Sequence, residues 1–126
     1  RMRRAEASIE FAVGAARDAL VPGPWRERDP VVFETARFAS LPAEVALRLL
    51  GRAVAHAGDE GPVELAKLEA LYDSLRQATS RLRRTLAGAM ITLETERLTV
   101  ERAPARRTTA RRASTMRKGR NRGFTK

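Results

Sequence analysis

The chain has no cysteine, a single histidine, a single tryptophan, a single tyrosine, and no acidic residue after Glu101. Each scarcity excludes something. Without cysteine there is no disulfide, no thiolate nucleophile and no zinc finger. That fits a reducing compartment, and a cytoplasmic location is expected. With His56 as the lone histidine, a metal site built on several histidines is excluded, and a catalytic triad is nearly so, since it would have to rest on that one residue at a helix end. His56 falls near a helix end, where a cationic imidazole suits the dipole, and reads as a surface or boundary residue. The eight glycines form neither GxGxxG nor GxxxxGK[ST], so no phosphate-cradling loop is present. No apolar run approaches the roughly 20 residues of a membrane span, and no membrane partner is expected. The basic start, Arg1 to Arg4, leads into an amphipathic segment with Glu6 and Glu10 rather than a secretory signal. The acid pairs Asp59–Glu60 and Glu94–Glu96 fall in turns and read as solvated. No catalytic, cofactor-binding or metal-ligating residue is assigned, and the chain is not a self-contained enzyme.

What the chain does have is concentrated positive charge. Between Ala105 and Lys126 lie nine basic residues and no acid, out of a formal net charge of +10 for all 126 residues. Residues 1–104 hold 16 basic and 15 acidic side chains and are close to neutral. A run of like charge resists collapse and suits a polyanionic partner, of which nucleic acid is the obvious one. Such a tail also reads as a merely solubilising, flexible terminus. The division expected is an ordered domain over 1–104 and a basic tail over 105–126. Because the first residue is arginine and already reads as mid-helix, the chain is expected to be a piece of a longer protein.

Apolar spacing organises the body. Ile9, Ala12, Val13, Ala16 and Leu20, with Met2 and Ala5 before them, mark a helix from Arg1 to about Leu20, stopped by Pro22–Gly23–Pro24. Trp25 lies in the proline-rich loop and reads as a cap on a small core; Trp25 and Phe124 are the aromatic candidates for base stacking. Val31 to Phe38 alternates imperfectly and is expected to be an extended piece or a short strand. A helix opened by Pro42 carries Val45, Ala46, Leu49, Leu50, Ala53 and Val54 and stops at Gly58. A second, from about Val63, presents Leu65, Leu68, Leu71, Tyr72 and Leu75, and the short loop makes the two antiparallel neighbours. After Arg84 the period drops to two, and a β-hairpin is expected over roughly Thr85–Arg102, closed by Pro104. Its turn around Thr95–Glu96–Arg97 lacks the usual Asn-Gly or Asp-Gly signal. The expected fold is mainly α with a small β-hairpin, an α+β accessory domain.

The order "LPAEVALRLLGRAV" (Leu41–Val54), "LAKLEAL" (Leu65–Leu71), "RTLAGA" (Arg84–Ala89) and "VERAP" (Val100–Pro104) resembles the part of bacterial tRNA(Ile)-lysidine synthases that follows their catalytic domain. The resemblance covers about Arg1 to Pro104. One departure is Ala87–Gly88, where members often have two glycines. The resemblance implies an enzyme that uses ATP to adenylate the wobble cytidine of a tRNA(Ile) with a CAU anticodon, lysine then displacing AMP to give lysidine. It implies that a PP-loop domain with an SGGxDS-type motif carries this ligase chemistry. This chain has no Ser-Gly-Gly, so no catalytic residue carries over, and ATP and lysine belong to that upstream domain. The matched part would be a helical substrate-binding domain that holds the tRNA.

On charge and spacing, the nucleic-acid-binding candidates are Arg48 and Arg52 on one helix, Arg81, Arg83 and Arg84 ahead of the hairpin, and Arg106, Arg107, Arg111 and Arg112 in the tail. Contacts of this kind fix register on a phosphate backbone without reading sequence. For Arg48 and Arg52 the competing reading is a solvated helix face, whereas the Arg81–Arg84 group has no acid close in sequence. Two rival functions remain. A protein-interaction module using the Leu65–Leu75 stripe predicts self-association, such as a homodimer, without response to RNA. A general nucleic-acid-binding module predicts equal affinity for duplex DNA and tRNA.

Overall fold

The computed structural model describes residues 2–27 and 29–104, with side chains from Glu6 onward. The tail candidates Arg106, Arg107, Arg111 and Arg112, and also Phe124, lie outside the described residues. The element order is α1 (Met2–Leu20), β1 (Val31–Glu34), α2 (Thr35–Ala39), α3 (Ala43–Ala57), α4 (Leu65–Gln77), β2 (Leu82–Leu86), β3 (Ala89–Leu93) and β4 (Arg97–Arg102). The α+β expectation holds, but the hairpin is one part of a four-stranded antiparallel sheet ordered β1–β4–β3–β2.

One strand was not legible as such, and another was only an alternative. The arginine segment read as preceding the hairpin is itself strand β2, paired with β3 from Leu82↔Leu93 to Leu86↔Ala89. The piece after Pro30 is strand β1 over Val31–Glu34, as its strand alternative had it, and pairs with β4 through Val31↔Val100 and Phe33↔Leu98; its second half is not extended but turns into helix α2, Thr35–Ala39. Ala87 and Gly88, read as the start of a strand, instead form the two-residue β2–β3 turn, with φ of 53° and 85°. Positive φ at both central residues is what a type I′ hairpin requires, because its twist matches that of the strands. The β3–β4 connection, Glu94–Glu96, is closed by the Glu94 amide donating to the Arg97 carbonyl at 2.8 Å.

Helix α3 is the centre of the molecule. It buries Val45, Ala46, Leu47, Leu49, Leu50, Ala53, Val54 and Ala57, more than one face of a helix, because α1, α4 and the sheet all pack on it. Pro42 stands just before the helix as its N-cap, and not at the first helical position. From the sheet, Val31, Phe33, Ile91, Leu98 and Val100 point into the same core and are essentially inaccessible to solvent. Their register partners confirm one face, since Ile91↔Val100 and Leu93↔Leu98 pair directly. Burial of each such large side chain contributes roughly 1.5–3 kcal/mol.

Helix α1 packs on α3 with Val13 and Ala16 buried, and so forms an outer layer. Helix α4 begins at Leu65, two residues later than the spacing suggested, which leaves Leu65 61% exposed while Leu68, Leu71 and Leu75 are buried. Gly51 on α3 faces the Leu68 methyl of α4, so the absence of a side chain there permits the two helices to approach. Trp25 is half-buried against the core, as its core reading supposed. Its ring meets His56 edge-on at 5.6 Å and lies under the Arg17 guanidinium at 4.5 Å.

Candidate nucleic-acid interface

The basic side chains of the body fall into two electrostatic situations. Arg48 and Arg52, one turn apart on α3, reach toward α1 while remaining in contact with solvent. The Arg48 guanidinium donates to Glu6 and Glu10 across the helix interface and to Glu44 one turn back, each at 2.9 Å, and Arg52 donates to Glu10. Three carboxylates thus surround two guanidinium groups. The hydrogen bond from Arg48, reinforced by its charge, holds the Glu6 carboxyl below its ordinary value. The same three carboxylates, Glu6 foremost, push Arg48 still further up. The cluster clasps α1 to α3, so this pair belongs neither to a merely solvated face nor to a cationic surface.

The arginines of β2 are arranged differently. Side chains alternate across a strand, so the consecutive residues Arg83 and Arg84 project to opposite faces. Arg84 lies opposite Ile91 on the helix-bearing face, and Arg83 opposite Thr92 on the other. The second face carries a row across the sheet, Arg83–Thr92–Thr99–Val32, in direct register. On the first face Arg84 shares a small groove with Lys67 and Ser74 of α4 and with Thr85. Both arginines are exposed, and among the described residues neither has a carboxylate partner. Since β2 is an edge strand, its outward backbone groups have no neighbouring strand. The Arg84 guanidinium donates to the Arg83 carbonyl at 3.1 Å and covers part of that edge.

Arg81 departs from the expectation that this group stands apart from acids. It sits 3.3 Å from Glu94 of the β3–β4 connection, its side chain still 65% exposed. Glu94 is far in sequence but is brought alongside by the β2–β3 pairing. Two further cations were not singled out in sequence: Lys67, and Arg76, whose guanidinium carbon is 5.7 Å from the Tyr72 ring centroid. Their helical spacing from Leu71 and Tyr72 was the available signal, but only the pairing of β2 places Lys67 beside the arginine strand, while Arg76 lies on the other flank of α4, against α2 and the ends of β3 and β4.

The glycine-containing loop ahead of α4, Gly58–Asp59–Glu60–Gly61, is followed by Glu64 at the helix N-cap, and these acids oppose a phosphate. Asp59 is instead occupied with Arg102 at 3.1 Å. Among the described residues no group of three His, Asp or Glu side chains could hold a metal ion. No described helix is long and apolar enough to cross a membrane.

Comparison with known proteins bears on this surface. The chain is 40% identical over 124 residues to a tRNA(Ile)-lysidine synthase of Bradyrhizobium sp. (strain BTAi1 / ATCC BAA-1182), covering 85% of this chain and 35% of that protein. It is a stretch of sequence similar to tRNA(Ile)-lysidine synthases. The synthase of Rhodopseudomonas palustris matches at 40% over 116 residues, and that of Methylobacterium nodulans at 38% over 113 residues. In both cases 85% of this chain and 33% of the synthase are covered, so the chain spans about a third of the length of these curated relatives. No family profile and no solved structure matches the chain.

Proposed function

We propose that this chain is a tRNA-binding accessory region of a tRNA(Ile)-lysidine synthase, and that the β2 edge with the flanking part of α4 is its phosphate-contacting surface. The observation that carries the reading is the pair Arg83 and Arg84. They straddle an exposed strand edge without a carboxylate partner among the described residues, in a chain similar to enzymes named for a tRNA substrate. Arginine is suited to this role because its planar fork meets phosphate oxygens two at a time. Lys67 extends the charge onto α4, Arg81 shares it with Glu94, and Arg48 and Arg52 serve to fasten α1.

In this reading the partner is a tRNA(Ile) with a CAU anticodon, acted on in the cytoplasm. A catalytic part of the same protein, outside this chain, handles ATP and lysine. The contribution here is positioning: phosphate contacts set the register of the tRNA. The basic tail, with Arg106, Arg107, Arg111 and Arg112, adds attraction that falls steeply with salt.

The test is a titration of the 126-residue chain with tRNA(Ile), an unrelated tRNA and a DNA duplex at two salt concentrations. The double variant Arg83→Glu/Arg84→Glu should weaken tRNA binding and flatten its salt dependence, while Arg48→Met should not. Unchanged tRNA affinity in the charge-reversed variant would sink the assignment of this edge.

A further inference from the structure

At the end of the sheet opposite the β2–β3 turn, a cavity of about 350 Å³ opens between α2, the C-terminal half of α4 and strands β3 and β4. Its size lies within the roughly 300–1,000 Å³ typical of small-molecule sites. Protein interiors otherwise leave few voids larger than a water molecule. The walls are Phe38, Tyr72, Leu75, Leu93 and Leu98, with the Thr35 hydroxyl and the Arg76 guanidinium as its polar groups.

The aromatic side chains here form a graded stack. Phe33, fully buried, is 5.3 Å from Phe38; Phe38 meets Tyr72 edge-on at 6.4 Å; Arg76 stands over Tyr72 at 5.7 Å. The series runs from core to solvent and ends in a cation. The rim is also tied to the basic strand. Thr35 donates to the Glu94 carbonyl at 2.9 Å, and the Glu94 carboxylate holds Arg81, the residue that leads into β2.

A flat apolar slot with a cation over its aromatic wall suits a flat aromatic group carrying an anion. An apolar protein segment would use the walls and leave the arginines without a role. We propose that this cavity receives one unstacked base from a single-stranded or loop segment of RNA, its ring against Tyr72 and its phosphate on Arg76. Bases without sequence preference are held in this manner on aromatic platforms beside basic grooves. The inference rests on the tRNA-binding reading and adds to it a specific place where the RNA is unpaired.

Tyr72 is the only tyrosine, so its ring signals in a proton NMR spectrum can be followed directly. The 126-residue chain would be titrated with an RNA tetranucleotide and with the same tetranucleotide made abasic at its two inner positions. Upfield movement of the Tyr72 ring signals is expected with the first and not with the second. Tyr72→Ala and Arg76→Ala should weaken the tetranucleotide by about 5- to 100-fold, and Tyr72→Phe should retain most of the affinity. Arg76 is exposed, so its variant reports even if Tyr72→Ala is poorly folded. Ring signals that stay still while the tetranucleotide binds, or that move equally with the abasic chain, would overturn the inference. So would ring shifts induced by a Leu-Ala peptide but not by RNA. If Arg83→Glu/Arg84→Glu weakens tRNA and the cavity variants do not, the cavity inference alone falls. If tRNA is not bound at all, the proposed function falls with it.

Discussion

Ala87 is the one described non-glycine residue with positive φ, at 53°, and it occupies the turn that joins the arginine strand to the rest of the sheet. A left-handed conformation costs an L-residue about 1–2 kcal/mol, from which glycine is exempt. Glycine in turn loses about 0.4–1 kcal/mol through greater freedom in the unfolded chain. Ala87→Gly should therefore leave stability unchanged or raise it by up to about 1 kcal/mol, measured by urea unfolding. This gives a physical account of the two glycines that the resemblance implies for the turn. Gly88 has no such latitude. Its φ is 85° and a β-carbon there would run into Asp59 of the α3–α4 loop. Gly88→Ala should cost at least about 1–2 kcal/mol from conformation alone, and it should loosen the loop that Asp59 and Arg102 tie down. A second residue-scale expectation concerns Phe33, which is fully buried and contacts Phe38. Phe33→Ala should destabilise the domain by about 3–5 kcal/mol in the same measurement.

At the scale of elements, the clasp between α1 and α3 predicts a pH dependence whose sign is fixed. Glu6 is held below its ordinary 4.5 by Arg48. A depressed carboxyl contributes stability above the unfolded value and loses it as pH falls through the folded one. The loss should begin as the pH drops below about 4.5 and continue beneath it. Arg48 is shifted upward, so its share is intact throughout the accessible range and fades only in strong alkali. The groups are well exposed and screened by salt, so the effect is modest. Thermal unfolding followed by circular dichroism at pH 3 to 7 should show it, and added salt or Arg48→Met should flatten the profile.

Helices α1, α3 and α4 were legible because each carries its own apolar period over three or more turns, as with Leu68, Leu71 and Leu75, whereas the five-residue α2 is too short to show one. The β3–β4 pairing was legible for a similar reason, since Ile91 and Leu93 oppose Val100 and Leu98 across a short connection. Strand β2 was hidden by its composition. In Leu82–Arg83–Arg84–Thr85–Leu86 an arginine stands on the face that bears the two leucines, which an edge strand tolerates and a central strand does not. The pairing of strand β1 was hidden by distance, because its partner Val100 is contributed from the far end of the domain. For the same reason the roles of the arginines could not be sorted. Glu10 is remote from Arg52 in sequence, and Glu94 from Arg81, and only folding brings the members of each pair together.

For the molecule as a whole, charge is divided between holding the body together and reaching outward. Removing residues 105–126 should leave the unfolding transition of the body nearly unchanged, since the core cluster of the described residues runs from Val13 to Val100. The same truncation should lower affinity for every polyanion and reduce the slope of log affinity against log salt. Every phosphate that the tail ceases to neutralise should subtract about 0.7–0.9 from that slope. What survives truncation should be the part that Arg83 and Arg84 control. Disappearance of all discrimination between tRNA and duplex DNA on truncation would place recognition in the tail instead.

The layering of α1 carries one more consequence. This helix fully buries only Val13 and Ala16, with Ile9, Ala12 and Leu20 partly buried against the core, and is otherwise secured by glutamates in contact with solvent. Opening it exposes far less apolar surface than opening α3 or the sheet, and regions of that kind unlatch below the global free energy. Deuterium uptake should accordingly keep two clocks in this one domain. The amides of α1 should run on the fast clock, hastened by salt and acid, while those of α3, β3 and β4 wait for the whole domain to unfold.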